Sequence, residues 1–265
     1  GTVNSAVSGA VHGLENGNTS ALNNRVEING GTVGNAAGGQ TVSEVSGDAL
    51  ANGNTVIITG GTIGGAVYGG IAYSGSGQAE ASNNTVRIGP GLPATVFDSN
   101  EGLVGGHADT NTGTTVSTGN TLQIESVGLS VDGLAFFQRF EFTLPATLTN
   151  NGTVLTSTDW TELGTNAVMT VSAAPGFTVS PGDAFILIDG TGSSFSGTVA
   201  AASQSGTIGG HHYSLAVESD TVVLRILQPV QSRVTTSVPV AGGGVLAALG
   251  LLLAGLAAAG LRRRR

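Results

Sequence analysis

The chain has 265 residues, of which 44 are Gly and none is Cys; about one Gly in six is roughly twice ordinary usage, but no Gly-X-Y triplet recurs and collagen is excluded. Charged residues are only 10% against about 25% in an ordinary domain, and the abundance of Val, Ile and Leu excludes simple disorder. The formal charge is −8, and because four of the nine Arg are Arg262 to Arg265, residues 1–261 carry 5 − 17 = −12, which repels phosphates and excludes nucleic acid as a partner.

A repeat of thirty residues opens the chain. Gly1-Thr2-Val3 recurs as Gly31-Thr32-Val33 and Gly61-Thr62-Ile63, and Ala6 and Gly9 match Ala36 and Gly39, then Ala66 and Gly69. A second marker keeps step: Asn24-Arg25-Val26-Glu27-Ile28, Asn54-Thr55-Val56-Ile57-Ile58 and Asn84-Thr85-Val86-Arg87-Ile88. A fourth copy, Asn120-Thr121-Leu122-Gln123-Ile124, follows after 36 residues, placing about six extra residues near Gly89 to Pro93. The alternation Val-x-Ile predicts a half-buried strand in each copy, and the flanking Asn and Gly predict sharp corners in left-handed backbone.

One such repeat cannot stand alone. Each aliphatic side chain is worth about 1.5–3 kcal/mol when buried, whereas ordering costs about 1–2 kcal/mol per residue in backbone entropy. Stacking of copies must close the gap, so the expected fold is all-β: a parallel β-solenoid with Val and Ile in columns along its axis. Similar hairpins in a flat antiparallel sheet or sandwich are the alternative. Residues 1–125 form these repeats. Gly1 falls one residue into a Gly-Gly-Thr corner, with no initiator Met or signal peptide ahead of it, so the chain is expected to be the C-terminal piece of a longer exported protein.

From Ser126 to Leu227 the rhythm stops. Phe140, Phe142 and Leu144 alternate and should share a face. Further strands are predicted at Thr153 to Leu155, Ala167 to Val171, Ala184 to Ile188, Tyr213 to Val217 and Thr221 to Leu227, with turns at Pro181-Gly182-Asp183 and Asp189-Gly190. This region reads as a wider end of the solenoid or a small sheet capping it. Asn-Asn-Thr-Val-x-Ile, Gly-Gly-Thr-Ile-Gly-Gly and Val67-Tyr68-Gly69-Gly70, followed by Phe140-x-Phe142-x-Leu144-Pro145, Gly152-Thr153-Val154-Leu155 and Pro181-Gly182-Asp183-x-Phe185-x-Leu187-Ile188, resemble the passenger regions of bacterial autotransporters and filamentous adhesins over about residues 1–227. The resemblance implies a right-handed parallel β-helix at the cell surface. The departure is downstream, where the family continues into a transmembrane β-barrel.

Here residues 228–239 form a polar linker, and 240–265 an uncharged apolar stretch with a basic end. Val245 to Leu261 is 17 residues of Leu, Ala, Gly and Val, about 26 Å as a helix, which predicts a single transmembrane span. Arg262, Arg263, Arg264 and Arg265 then stay cytoplasmic and the N-terminal region lies outside the cytoplasm. Val238-Pro239, the small residues Gly242, Gly243 and Gly244, the apolar stretch and the Arg cluster resemble the C-terminal sorting signals of Gram-negative bacteria, of the IPTL and PEP types or the GlyGly type. That resemblance implies a membrane sorting protease, of the rhomboid class for the GlyGly type, as partner; cleavage is placed between Pro239 and Val245.

Catalytic motifs are missing from the sequence. Without Cys there are no thiolate metal sites or Cys nucleophiles, and no His-Glu-x-x-His or Gly-x-Ser-x-Gly pattern occurs. No catalytic residue, metal ligand or cofactor is assigned. His211-His212 reads as a solvated turn. Asp98, Glu101 and Asp109 are the carboxylates worth testing for paired acid–base chemistry across coils; solvated loop acids are the simpler reading. Trp160 and Tyr68 are expected to pack rather than to carry sugars. The function expected is a structural or adhesin-like surface protein, meeting host or matrix glycans or proteins; the alternative is a carbohydrate-active solenoid enzyme.

Overall fold

A computed structural model of the protein describes residues 2–3, 7–98 and 102–229. The predicted span and the sorting-signal residues Val238, Pro239, Gly242 to Gly244 and Arg262 to Arg265 lie outside the described residues. No helix among the described residues is long and apolar enough to cross a membrane.

The chain winds into an all-β parallel solenoid of about six turns. The second turn shows the plan: Arg25–Val33, then Ala36–Ala37, Gln40–Ser46 and Ala49–Asn52, each hydrogen-bonded to its counterpart one turn away. The aliphatic residues pile up as expected. Val26 lies on Val56, Val56 on Val86, Val86 on Leu122, Leu122 on Phe140 and Phe140 on Met169. Ile28, Ile58, Ile88, Ile124, Phe142 and Val171 form a parallel column. Corners fall where the Asn and Gly predict them, with φ of 55° at Asn23, 69° at Gly53, 56° at Asn83 and 69° at Gly119.

The strict thirty-residue match fails at one place. Ala36 pairs with Val7 and Val67, not Ala6 and Ala66, and Gly38 takes the level of Gly9 and Gly69 in place of Gly39. The second turn is one residue shorter at this corner and regains it before Ala49, which pairs with Ala79 at an interval of 30. The insertion sits where expected. Ile58 to Val67 is nine residues, whereas Ile88 to Leu103, their partners one turn on, is 15, so six are added. They are tucked in rather than looped out: Val96 and Leu92 are buried, and the Ser126 hydroxyl accepts from the Leu92 amide (2.9 Å) and donates to the Gly89 carbonyl (2.6 Å).

Two lobes make up the cross-section of the first turns. One is filled by the Val, Ile, Leu and Phe columns. The other lies between the sheet of Val11–Asn16, Gln40–Ser46, Ile71–Ser74 and His107–Thr110 and the sheet of Thr19–Leu22, Ala49–Asn52, Gln78–Glu80 and Thr114–Val116. Its inward residues are small: Thr41, Ser43, Ala49, Ala51, Ala72, Ser74, Ala79 and Ala81, all fully buried. Side chains of one to three heavy atoms let the two sheets close on each other with no room for a larger core.

A waist separates the lobes. On one side runs a ladder of Asn24, Asn54, Asn84 and Asn120, the last three fully buried; on the other runs a column of Gly-Gly corners. The side-chain oxygens of Asn54, Asn84 and Asn120 each accept from the main-chain N–H of the Asn one turn earlier, at 2.9–3.0 Å, and their amide NH2 groups donate across the waist to the carbonyls of Ala21, Ala51 and Ala81 at 2.9–3.0 Å. Gln138 closes the ladder, its side-chain oxygen accepting from Asn120 N–H at 2.9 Å. Opposite, a Cβ on Gly70 would lie 2.8 Å from Asn84 Nδ2, and one on Gly69 only 2.2 Å from the Gly105 carbonyl oxygen. Backbone cannot retreat inside a ladder paired on both sides, so Gly69→Ala is expected to cost about 1–3 kcal/mol or more by overpacking, read as a lowered midpoint in thermal or urea unfolding.

At Phe136 the coil changes. Gly105 is followed by the small-residue lobe, but Phe136, stacked on Gly105, turns the chain with φ of 59° straight back to Phe137 and Arg139. That turn takes 139 − 121 = 18 residues between partners Thr121 and Arg139. The small-residue sheets therefore end at His107–Thr110 and Thr114–Val116. The expectation of a wider end is corrected: the later turns lose a lobe, because no pair of Ala- and Ser-lined strands follows Phe136. All of Phe140, Phe142 and Leu144 point inward and are buried, as read from their alternation. The predicted strands at 153 and 167 are parts of one long bulged strand, Thr153–Ala173. A small cap is present at the end, where Thr221–Pro229 pairs antiparallel with both Ala184–Asp189 and His211–Glu218. The described residues form one compact unit.

Candidate functional site

The waist has an outer side. Where the Gly-Gly corners bend in towards the Asn ladder, the surface is left concave, and a cavity of about 350 Å³ follows, lined by Ser8, Asn35, Ala36, Ala37, Gln40, Tyr68, Ile71 and His107. Two short columns frame it. One is Val7–Ser8, Ala36–Ala37, Val67–Tyr68 and Leu103–Val104; the other starts the next sheet with Val11, Gln40, Ile71 and His107 at one level.

Three rings line up along this groove and past its end. Tyr68 and His107 have centroids 6.2 Å apart with planes at 63°, and His107 and Phe136 6.5 Å apart at 62°, both edge-to-face arrangements. Phe136 is 39% exposed. Its left-handed backbone costs a residue with a Cβ about 1–2 kcal/mol that Gly would avoid. The groove's polar groups are amides and hydroxyls. Asn35 accepts from the Ala66 N–H (2.9 Å) and Ser8 donates to the Ala10 carbonyl (2.8 Å), while the Gln40 side-chain amide and the His107 ring nitrogens make no hydrogen bond among the described residues.

The carboxylates singled out from sequence are not brought together. Asp98 is exposed beside the Ile63–Phe97 bridge of the main sheet. Asp109 belongs to a different sheet, opposite Tyr73, and Glu101 lies outside the described residues. Asp109 has a local task. On the edge strand left unpaired by the ending lobe, its carboxylate accepts from the Thr110 N–H at 2.8 Å, and Ser117 likewise donates to the Gly106 carbonyl at 2.8 Å. Both groups satisfy main-chain atoms that a further rung would otherwise take. No group of three or more His, Asp or Glu able to hold a metal occurs among the described residues.

His211 and His212 stand at the Gly209-Gly210 hairpin turn, and His211 Nδ1 sits 3.0 Å from the Gly209 carbonyl. Trp160 lies over Gly133 and Gly102, where a Cβ on either would meet its indole at 1.9 or 2.8 Å; it packs, as expected. Tyr68 does not follow that expectation fully, since it is half-exposed in the groove. Shifted titrations fall away from the groove: hydrogen bonding to Arg225 holds the exposed Glu218 carboxyl below its usual range, and burial raises the Tyr213 phenol.

Gln40, His107 and Phe136 were not singled out by sequence reasoning. The common level of Gln40 and His107 emerges only from the register, at offsets of 31 and 36 residues along the column Gln40, Ile71 and His107, and Phe136 comes beside them at the level of Gly105. Comparison of the chain with protein-family models, curated proteins and solved structures gives no match.

Proposed function

We propose that this chain is a surface-displayed β-solenoid with a structural or adhesive role, an autotransporter-like passenger carried by a cleavable C-terminal membrane signal in place of a β-barrel. The observation that carries the reading is the unbroken register of side-chain columns over about six turns. Such a rod is held by neighbour-to-neighbour contacts alone and presents an extended face without any ligand to stabilise it. On the broad face the outward residues include Thr55 and Thr85 in one column, with Arg87–Glu125 and Gln123–Glu141 pairing between turns. A surface of this kind suits display and contact with glycans or proteins.

Export rests on Val238-Pro239, Gly242 to Gly244, the apolar stretch and Arg262 to Arg265. An uncharged span followed by four Arg orients with the Arg inside, and a sorting protease then releases the solenoid. The test is protease shaving of intact cells expressing the chain, followed by mass spectrometry. Peptides from residues 7–229 are expected to be released, and the surface form is expected to end between Pro239 and Val245. Changing Arg262 to Arg265 together to Glu is expected to abolish surface exposure. A surface form that still contains Leu246 to Leu261 would refute cleavage, and a chain shielded in intact cells would refute display.

A further inference from the structure

We propose that the groove at the waist is a binding site for an uncharged saccharide, with Tyr68, His107 and Phe136 as its ring wall and Gln40, Asn35 and Ser8 as its polar contacts. The inference rests on the adhesive reading and names the ligand class and place that reading leaves open.

Four observations converge on it. First, the cavity of about 350 Å³ is concave and built by the backbone, because the Gly-Gly corners that shape it are fixed against the Asn ladder; its size is at the lower end of the about 300–1,000 Å³ usual for small-molecule sites. Second, no Asp, Glu or Arg lines it, so no permanently charged side chain there pairs with a charged ligand, and the net charge of −8 disfavours polyanions. Third, it sets apolar ring surface beside the side-chain amides of Gln40 and Asn35, whose NH2 groups have no hydrogen-bond partner among the described residues. A pyranose has the matching pair of properties: a C–H face that packs on rings and a rim of hydroxyls that both donate and accept.

The fourth observation is Phe136. The turn it makes, at φ of 59°, is one that Gly makes without strain. At the equivalent level the preceding turns carry Gly38, Gly69 and Gly105, none of them in left-handed backbone, so the left-handed turn is particular to Phe136. An aromatic residue held in unfavourable backbone with 39% of its surface in solvent is kept for its side chain, not for the turn. Its ring edge meets His107 and extends the wall begun by Tyr68.

The experiment uses the full chain, purified in a detergent without a sugar headgroup. It is applied to an array of neutral oligosaccharides and matched uronate- or sulfate-bearing ones, and the best neutral ligand is then titrated by calorimetry. Neutral glycans are expected to bind. Phe136→Gly and Gln40→Ala are each expected to weaken binding by about tenfold or more, while Phe136→Gly melts at the same temperature as the parent or higher, which separates a lost contact from a lost fold. Tyr68→Ala serves as a second wall variant. Binding unchanged in both Phe136→Gly and Gln40→Ala, preference for the charged glycans, or no binding to the array would each overturn the proposal. Surface display is read separately by shaving, so a shielded chain that binds neutral glycans refutes display alone, and a displayed chain that binds none refutes the groove alone.

Discussion

Asn84→Ala is expected to destabilise the protein by about 2–6 kcal/mol, since two buried main-chain groups lose their partners at about 1–3 kcal/mol each. The Asn54 N–H donates to Asn84 Oδ1 at 2.9 Å, and the Ala51 carbonyl accepts from Asn84 Nδ2 at 2.9 Å. Asn84 is fully buried, so water cannot replace either bond without opening the coil. Asn84→Asp keeps the shape and the acceptor, yet should be worse near neutral pH. It points carboxylate oxygen at the carbonyl of Ala51 and at Asn120 Oδ1, 3.2 Å from the present nitrogen, and buries a charge with no cation beside it. Acid should rescue the Asp variant in part, because a protonated carboxyl can donate one of the lost bonds. Urea unfolding of the parent and both variants at neutral and acid pH checks this. A cost near that of a surface Asn, within about 0.5 kcal/mol, would mean that the ladder does not hold the waist.

The same ladder shows how far the sequence could be read. Asn24, Asn54, Asn84 and Asn120 stand out by their spacing, and the strand after each follows from the alternation of Val and Ile. Asn is a turn former by local rule, however, so these four residues read as corners. The corners are in fact made by their predecessors Asn23, Gly53, Asn83 and Gly119, while the ladder residues turn inward and hydrogen-bond between coils. Local propensity does not distinguish a solvated amide from a buried one; the neighbouring turn does.

The small-residue lobe was illegible for a different reason. Ala49-x-Ala51, Ala79-x-Ala81, Thr41-x-Ser43 and Ala72-x-Ser74 alternate as strictly as Val-x-Ile. With Ala, Ser and Thr the inward and outward sets differ little in hydropathy, so period two leaves no signal. The groove is harder still, since it depends on one-residue slips at Gly-rich corners. Phe136 contradicts its own local preference, and such conflicts arise where a site, not the fold, sets the residue.

Phe140→Ala is expected to carry the other large effect, about 3–5 kcal/mol for a fully buried aromatic. The column it belongs to runs Val26, Val56, Val86 and Leu122 before Phe140, so the side chain grows at the level where the small-residue lobe stops. Ending that lobe removes two strands from the wall of the coil, and larger residues must fill the interior beside the gap. Phe140 does so with Phe142, stacked at 6.5 Å and 7°, and Phe137, tilted at 6.0 Å. Truncation would leave a hole between the two-lobed turns and the single-lobed ones. In a nearly one-dimensional array that junction transmits cooperativity, so calorimetry of the variant should show the single transition broadened or split. Val56→Ala, in the middle of the regular turns, removes less volume and should lower the transition without splitting it. If Phe140→Ala costs only the about 0.5–1.5 kcal/mol of an Ile→Val change, the rings do not seal the junction, and the enlargement of the column there has some other cause.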